Sequence, residues 1–149
     1  MMNTEQKLAV MQNTYAAALA EAVSTYGKLK VLDYVVEKKK ERQAQTAPVV
    51  NKQMGIETVE DVFTLLSDTF GCANWTVEKA VDGYAATATS CKLCALCKKM
   101  GDANPCRGWC LDPMAAMIAA VSNGQIGKEQ FIVKETLMDG DCCKVVIKA

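Results

Sequence analysis

Apolar residues recur at steps of three and four along the first quarter of the chain, which is the spacing of one face of an α-helix. This stripe predicts a helix from about Thr4 to about Arg42, bent or split at Gly27. A helix of this length exceeds the core of a small domain, so two arrangements are open: a homodimer through the N-terminal helix, or one or two core helices in a monomer. The stripe consists of Leu8, Met11, Tyr15, Leu19, Ala22, Tyr26, Leu29, Leu32 and Val36.

A run of charges at residues 38–42, followed by polar residues and Pro48, predicts an exposed helix end and then a linker at 48–57. Thr58-Val59-Glu60-Asp61 has the pattern of a capping box that opens the next helix, and Gly71 suits its C-terminal cap. We therefore expect one domain, 1–149. It divides into a long N-terminal helix or helix pair (1–47), the linker, and a helix plus ββαββ core (58–149).

The apolar period changes to two in the second half of the chain, as expected for half-buried strands. Trp75–Val81 and Tyr84–Thr89 predict a hairpin that turns at Asp82-Gly83. A second hairpin is predicted from Phe131–Leu137 and Cys143–Ile147. The predicted fold class is α+β, with N-terminal helices packed on a four-stranded antiparallel sheet built from the two hairpins.

The alternation of the last hairpin predicts its register. A three-residue loop at 139–141 places Leu137 opposite Cys143 and Glu135 opposite Val145, so that Glu135 lies on the apolar face. An inward carboxylate is costly unless it is paired, protonated or bound to a metal. Alternatively, Glu135 lies at the sheet margin and pairs with Lys144 or Lys134, since edge strands often carry inward charges.

Composition narrows the function. The chain has 149 residues, a net charge of +0 and no histidine. Balanced charge disfavours nucleic acid or an anionic membrane as a partner. No secretory signal or apolar run of transmembrane length is evident, so we expect a cytoplasmic protein. Without an imidazole, any metal must be held by thiolates or carboxylates.

Cysteine is the most informative residue type. Five of the eight cysteines lie in a Cys-rich connection, residues 90–112, in the pattern CxxCxxC followed by CxxxC. In a reducing compartment such spacing indicates metal ligands or redox groups. A tetrahedral zinc site from Cys91, Cys94, Cys106 and Cys110 and an iron–sulfur cluster that begins with Cys91, Cys94 and Cys97 both fit. Free thiols and disulfides remain open as alternatives.

Cys110 is the candidate catalytic residue. Asp112 and Pro113 predict the start of a helix, so Cys110 lies just before a helix N-terminus, where unpaired N–H groups favour a thiolate. The competing interpretation is a structural metal ligand, because no general base is visible.

The order helix, helix, hairpin, Cys-rich connection, helix, hairpin, with a final Gly-Asp-Cys-Cys, resembles the vinyl-reductase-type small-molecule-binding domain superfamily. The nearest branch is the one related to L-2-amino-thiazoline-4-carboxylic acid hydrolase. The resemblance implies a pocket for a small organic ligand between helices and sheet. It also implies zinc ligands at Cys110 (or Cys106), Glu135 and Cys143 (or Cys142). Met138 stands where that pattern has a further cysteine.

These observations predict a small-molecule-binding domain with a cysteine-ligated metal site, zinc or iron–sulfur, beside the pocket. One alternative is a hydrolase of the aminothiazoline-carboxylate type that uses a cysteine nucleophile or metal-bound water. Another is a structural metal module that mediates dimer or partner binding.

Overall fold

The computed structural model describes all 149 residues, and its α+β architecture confirms the predicted fold class. A π-helical turn, Arg107–Leu111, runs directly into the last helix. None of the helices combines the length and the apolar character needed to cross a membrane. The helices are α1 (Thr4–Lys28), α2 (Leu32–Met54), α3 (Val59–Phe70), α4 (Lys92–Lys99) and α5 (Asp112–Val121); the strands are β1 (Thr76–Ala80), β2 (Gly83–Ala88), β3 (Phe131–Glu135) and β4 (Cys143–Lys148).

The long N-terminal helix is split, as the glycine suggested. α1 ends at Lys28, and Lys30 adopts a left-handed backbone conformation (φ 60°) that turns the chain into α2. Gly27 lies at the break, where a Cβ would stand 2.9 Å from the Cβ of Ala103. α1 then packs on α4, whereas α2 packs on α5.

The predicted linker at 48–57 is wrong. α2 continues past Arg42 to Met54, with Pro48 inside it, and ends at Gly55 in the left-handed conformation. Proline is normally disfavoured in a helix interior because it cannot donate a backbone hydrogen bond. Here tertiary contacts outweigh that cost, since Ala47 and Asn51 are buried and the Asn51 side chain donates to the Met117 carbonyl of α5 at 2.9 Å.

The capping box of α3 is confirmed. Thr58 Oγ1 accepts from the Asp61 amide at 3.1 Å, and Asp61 Oδ2 accepts from the Thr58 amide at 3.0 Å. Gly71 closes the helix in the left-handed conformation (φ 67°).

The two predicted hairpins join into one antiparallel sheet in the order β1-β2-β4-β3. The first turn lies one residue earlier than predicted, because Ala80 pairs with Gly83 and leaves Val81 and Asp82 as the turn residues. β2 and β4 pair at the centre of the sheet. Their inward pairs are Tyr84 with Ile147, Ala86 with Val145, and Ala88 with Cys143.

The register of the second hairpin differs from the prediction. Val133, not Glu135, lies opposite Val145, and a bulge after Val133 pairs Glu135 with Lys144. A bulge shifts side chains to the other face of a sheet. Glu135 therefore shares the side of the sheet on which the exposed Lys144 lies, and the prediction that it faces the apolar core is wrong.

The core lies between the inward face of the sheet and the helices α2, α3 and α5. Its largest fully buried side chains include Phe63, Met114, Ile118, Val145 and Ile147. A smaller apolar group joins α1 to α4 through Ala20, Val23, Leu93 and Cys97. The Cys-rich connection lies between these two regions.

Gly83→Ala should destabilise the fold. A Cβ there would stand 1.8 Å from the Ile147 carbonyl oxygen, and φ is +148°. We expect a loss of about 3 kcal/mol in the free energy of unfolding, measured by urea denaturation. Gly101→Ala is the matched control: φ is +114° but nothing lies near its Cβ, so about 1 kcal/mol is expected. Equal losses of unfolding free energy in the two variants would contradict the close approach of β4 to Gly83.

Candidate functional site

The Cys-rich connection folds as a helical excursion between the hairpins. Cys91 caps the N-terminus of α4, and its sulfur accepts from the Cys94 amide at 3.4 Å. The Lys92 amide donates to the Cys72 carbonyl at 2.9 Å, which ties this end of α4 to the segment after α3. Pro105 and Cys106 then lead into the π-helical turn.

Three thiols meet at this point, and we name Cys91, Cys94 and Cys106 the thiol cluster. The sulfurs of Cys94 and Cys106 are 3.7 Å apart, and the Cys91 sulfur accepts from the Cys94 amide at 3.4 Å. Cys94 and Cys106 are buried, while Cys91 is half-buried. These are three of the four residues of the tetrahedral zinc set that the spacing allowed; the fourth, Cys110, contacts Met114 instead.

Hydrogen bonding makes the outer two sulfurs of the cluster acidic. The Cys94 thiol, helped by the Cys94 and Leu93 amides, lowers the pKa of Cys91 to about 6. The Cys94 thiol, joined by the Thr136 hydroxyl, also lowers the pKa of Cys106. Hydrogen bonding with Cys106, and then with Cys91, raises the pKa of Cys94. The cluster therefore favours negative charge on Cys91 and Cys106, a property that suits a cation.

Two further predicted ligands, Cys143 and Cys97, have different surroundings. The sheet register brings Cys143 next to Ala88, three residues before Cys91, and the Leu137 amide donates to the Cys143 sulfur at 3.3 Å. Burial raises the pKa of Cys143 to about 11, and the charges of Cys106 and Cys91 add to the shift. Cys97 instead packs against α1, and burial raises its pKa to about 11.

The placement of Cys110 corrects the catalytic prediction. Because the π-helical turn continues into α5 without a break, Cys110 lies inside a helical segment and not before its N-terminus. Its thiol contacts the Met114 sulfur at 3.8 Å, and burial raises its pKa well above the usual value. The expected activation by free N–H groups therefore does not apply to Cys110, whereas Cys91 does cap a helix N-terminus.

Glu135 and Cys142 pair with each other and not with the cluster. Both the amide and the thiol of Cys142 donate to Glu135 Oε2, at 3.1 and 2.8 Å. This hydrogen bond raises the pKa of Cys142. Nowhere in the structure do three Cys, Asp or Glu side chains form a group that could hold a metal ion. The structure thus separates these two residues from the other predicted ligands.

An apolar cavity of about 230 Å³ adjoins the cluster. Cys91 contributes to its wall and also lines a wider cleft of about 820 Å³, in which Cys94 lies as well. The cavity is walled by side chains of α1, α2, α3, α5 and the π-helical turn. Its apolar lining includes Leu19, Val50, Met54, Leu66, Phe70, Trp75, Trp109, Met114 and Met117.

Two cavity residues were missed by sequence reasoning. Lys39 and Gln43 belong to the segment that was predicted to be an exposed helix end leading into a linker, yet both line the cavity. The available signal was their spacing: they follow the buried Val36 and precede the buried Ala47 at steps of three and four.

No protein-family model, curated protein or solved structure matches this chain. The superfamily resemblance therefore stays a prediction.

Alkylation should distinguish Cys91 from Cys110, two half-buried thiols. The thiolate is the reactive form, so at neutral pH Cys91, with a pKa of about 6, should react first. Iodoacetamide labelling in the presence of a chelator, followed by peptide mass spectrometry, measures both rates. Labelling of Cys91 should fall as the pH drops through its pKa, and both thiols should react alike in denaturant. Faster labelling of Cys110 would contradict this ranking.

Proposed function

We propose that this protein is a small-molecule-binding domain in which the thiol cluster holds a metal, as zinc or an iron–sulfur cluster, beside the apolar cavity. The observation that carries the proposal is the convergence of Cys91, Cys94 and Cys106, with Cys91 also in the cavity wall. A ligand in the cavity would thus lie against a residue that holds the metal.

One sulfur pair of the cluster has the spacing of zinc ligands. In a tetrahedral zinc site with bonds of about 2.3 Å, neighbouring sulfurs stand about 3.8 Å apart. The Cys94–Cys106 distance of 3.7 Å agrees with this spacing. Soft thiolate ligands select zinc or iron–sulfur over hard cations such as magnesium. The absence of histidine from the chain removes imidazole as a ligand, and the cluster itself supplies thiolate sulfur.

As the fourth ligand we propose Cys143, which the pairing of β2 with β4 places beside Ala88, three residues before Cys91. The hydrogen bond from the Leu137 amide supports Cys143, because an amide donor stabilises a thiolate. Packing of Cys97 against α1 favours the CxxC zinc arrangement over a cluster that uses the Cys91, Cys94 and Cys97 triplet. A bound metal would supply a fixed positive charge and a Lewis acid at the cavity wall.

Metal content tests the proposal directly. Protein purified anaerobically should contain about one equivalent of zinc, or an iron–sulfur chromophore, by elemental analysis and absorbance. Cys94→Ser and Cys106→Ser should each lower the bound metal to less than about half, since a missing thiolate leaves the site incomplete.

Cys142→Ser is the matched control. Cys142 pairs with Glu135, so this substitution should leave the metal content unchanged. Metal-free, colourless protein in which all eight thiols titrate would sink the metal claim.

A second candidate is the hydrolase, with Cys91 in place of Cys110 as the nucleophile. The supporting observation is that Cys91 combines a lowered pKa with a position in the cavity wall. The alkylation experiment bears on it: a single hyper-reactive Cys91 supports a nucleophile, and uniformly slow labelling opposes it.

We also propose a homodimer through α1. Leu8, Met11 and Tyr15 follow each other at steps of three and four along this helix and are exposed, as an unpartnered apolar face would be. Light scattering of the purified protein gives its mass in solution.

A further inference from the structure

Two thiols of the cluster are close enough to react with each other. The sulfurs of Cys94 and Cys106 lie 3.7 Å apart. A disulfide has an S–S bond of about 2.05 Å, so the two sulfurs need to close by less than about 2 Å. Rotation of the two side chains, with a small adjustment of the backbone, brings about a shift of this size.

The segment between the two cysteines is able to follow such a shift. Cys94 lies in α4 and Cys106 just before the π-helical turn, and the chain reverses between them at Gly101 and Asp102. Both turn residues are exposed, and no atom lies within 4 Å of the position that a Cβ would take at Gly101. An exposed turn of this kind moves without breaking core contacts.

Both cysteines border openings to solvent. Cys94 lines the cleft of about 820 Å³, and Cys106 lines a second groove, of about 690 Å³, between α2, α5 and β3. Cys94 is 4% exposed and Cys106 is 5% exposed, so a small oxidant such as hydrogen peroxide suits these openings better than a bulky reagent.

The other cysteine sulfurs have contacts of other kinds. Cys91 is the rival partner of Cys94, since the two belong to one CxxC, but its sulfur accepts from the Cys94 amide at 3.4 Å. The remaining sulfurs contact the Phe70 carbonyl (Cys72), the Met114 sulfur (Cys110), the Glu135 carboxylate (Cys142) and the Leu137 amide (Cys143), while Cys97 packs against α1. The geometry therefore selects Cys94 and Cys106 as the pair.

We infer that Cys94 and Cys106 are a redox modification site, at which a hydroperoxide converts the two thiols into a reversible disulfide. One sulfur attacks the hydroperoxide: an S–O bond forms, the O–O bond breaks, and the thiol proton leaves with the departing alcohol or water. The second sulfur then displaces the oxygen of this sulfenic acid. The S–S bond forms, the S–O bond breaks, and water carries away the second thiol proton. The two sulfurs lose two electrons, which reduce the hydroperoxide.

The disulfide would remove two ligands from the proposed metal site. In this consequence the inference rests on the proposed function, whereas formation of the disulfide itself requires no metal. Oxidation would release the metal, and a reducing thiol would restore the site. Disulfides in a reducing compartment are mostly transient, and such a switch fits that behaviour.

Peptide mapping under non-reducing conditions tests the inference. Protein freed of metal by a chelator is treated with hydrogen peroxide, and the remaining thiols are alkylated in denaturant. The free thiols should fall by two from eight and return with dithiothreitol. Trypsin cleaves after Lys92, Lys98, Lys99 and Arg107, so Cys94 and Cys106 lie on separate peptides, 93–98 and 100–107, which should be found linked.

Variants assign the link. Cys94→Ser and Cys106→Ser should each abolish it. Cys97→Ala should retain it, which separates Cys94 from the second cysteine of peptide 93–98, and Cys143→Ser should retain it as well. A link between Cys91 and Cys94, or oxidation to sulfinic acids without any link, would overturn the inference in the wild-type protein alone.

The two proposals fail in different ways. If the link forms in protein that is metal-free as purified, the metal site is wrong and the redox pair stands. If metal is bound at purification but peroxide forms no link even after chelation, the redox pair is wrong and the metal site stands. If both are right, peroxide should release about one equivalent of metal for each disulfide formed, measured with a zinc-binding dye or by loss of the iron–sulfur absorbance.

Discussion

The hydrogen bonds around the Cys94 thiol are the interaction on which the site depends. The Cys94 thiol has a single proton to share, and hydrogen bonding to it, with the Cys94 amide added on the Cys91 side, lowers the pKa of Cys91 and of Cys106. Two distant features must coincide for this to happen: Cys91 must cap α4, and Cys106 must open the π-helical turn. The pairing of β2 with β4 separately places Cys143 beside Ala88, three residues before Cys91. The sheet and the helical connection therefore act together to concentrate thiols at one place in the core.

The π-helical turn gives the cavity its second wall. Gly108 lets this turn approach α2 closely, since a Cβ there would stand 3.0 Å from Val36. The approach places the Gly108 carbonyl within reach of Gln43 and the Trp109 ring beneath Lys39. Turns of π-helix inside α-helices are often found at functional sites. Here the turn links the apolar cavity on one side to Cys106 on the other.

Much of the fold could be predicted because each local signal agreed with its tertiary role. The capping residues Thr58 and Gly71 mark the two ends of α3, and alternation along β4 placed Cys143, Val145 and Ile147 in the core. Local signals failed where long-range contacts decided the outcome. Pro48 suggested a linker, but burial of Ala47 and Asn51 against α5 kept the helix intact.

The candidate site was predicted in part for the same reason. Cysteine spacing placed Cys91 and Cys94 together, because CxxC places both sulfurs at one end of a helix. That Cys106 joins them depends on the fold. Cysteine spacing could not show that a bulge after Val133 pairs Glu135 with Lys144. Nor could it show that Cys110 lies inside a continuous helical segment. Lys39 and Gln43 were hidden in a polar segment whose burial depends on the position of the π-helical turn.

X-ray absorption at the zinc and iron edges, on anaerobically purified protein, examines the central claim most directly. The account predicts a bound metal with a sulfur shell at about 2.3 Å, diminished in Cys94→Ser. The absence of metal, or a shell made only of oxygen and nitrogen, would contradict it.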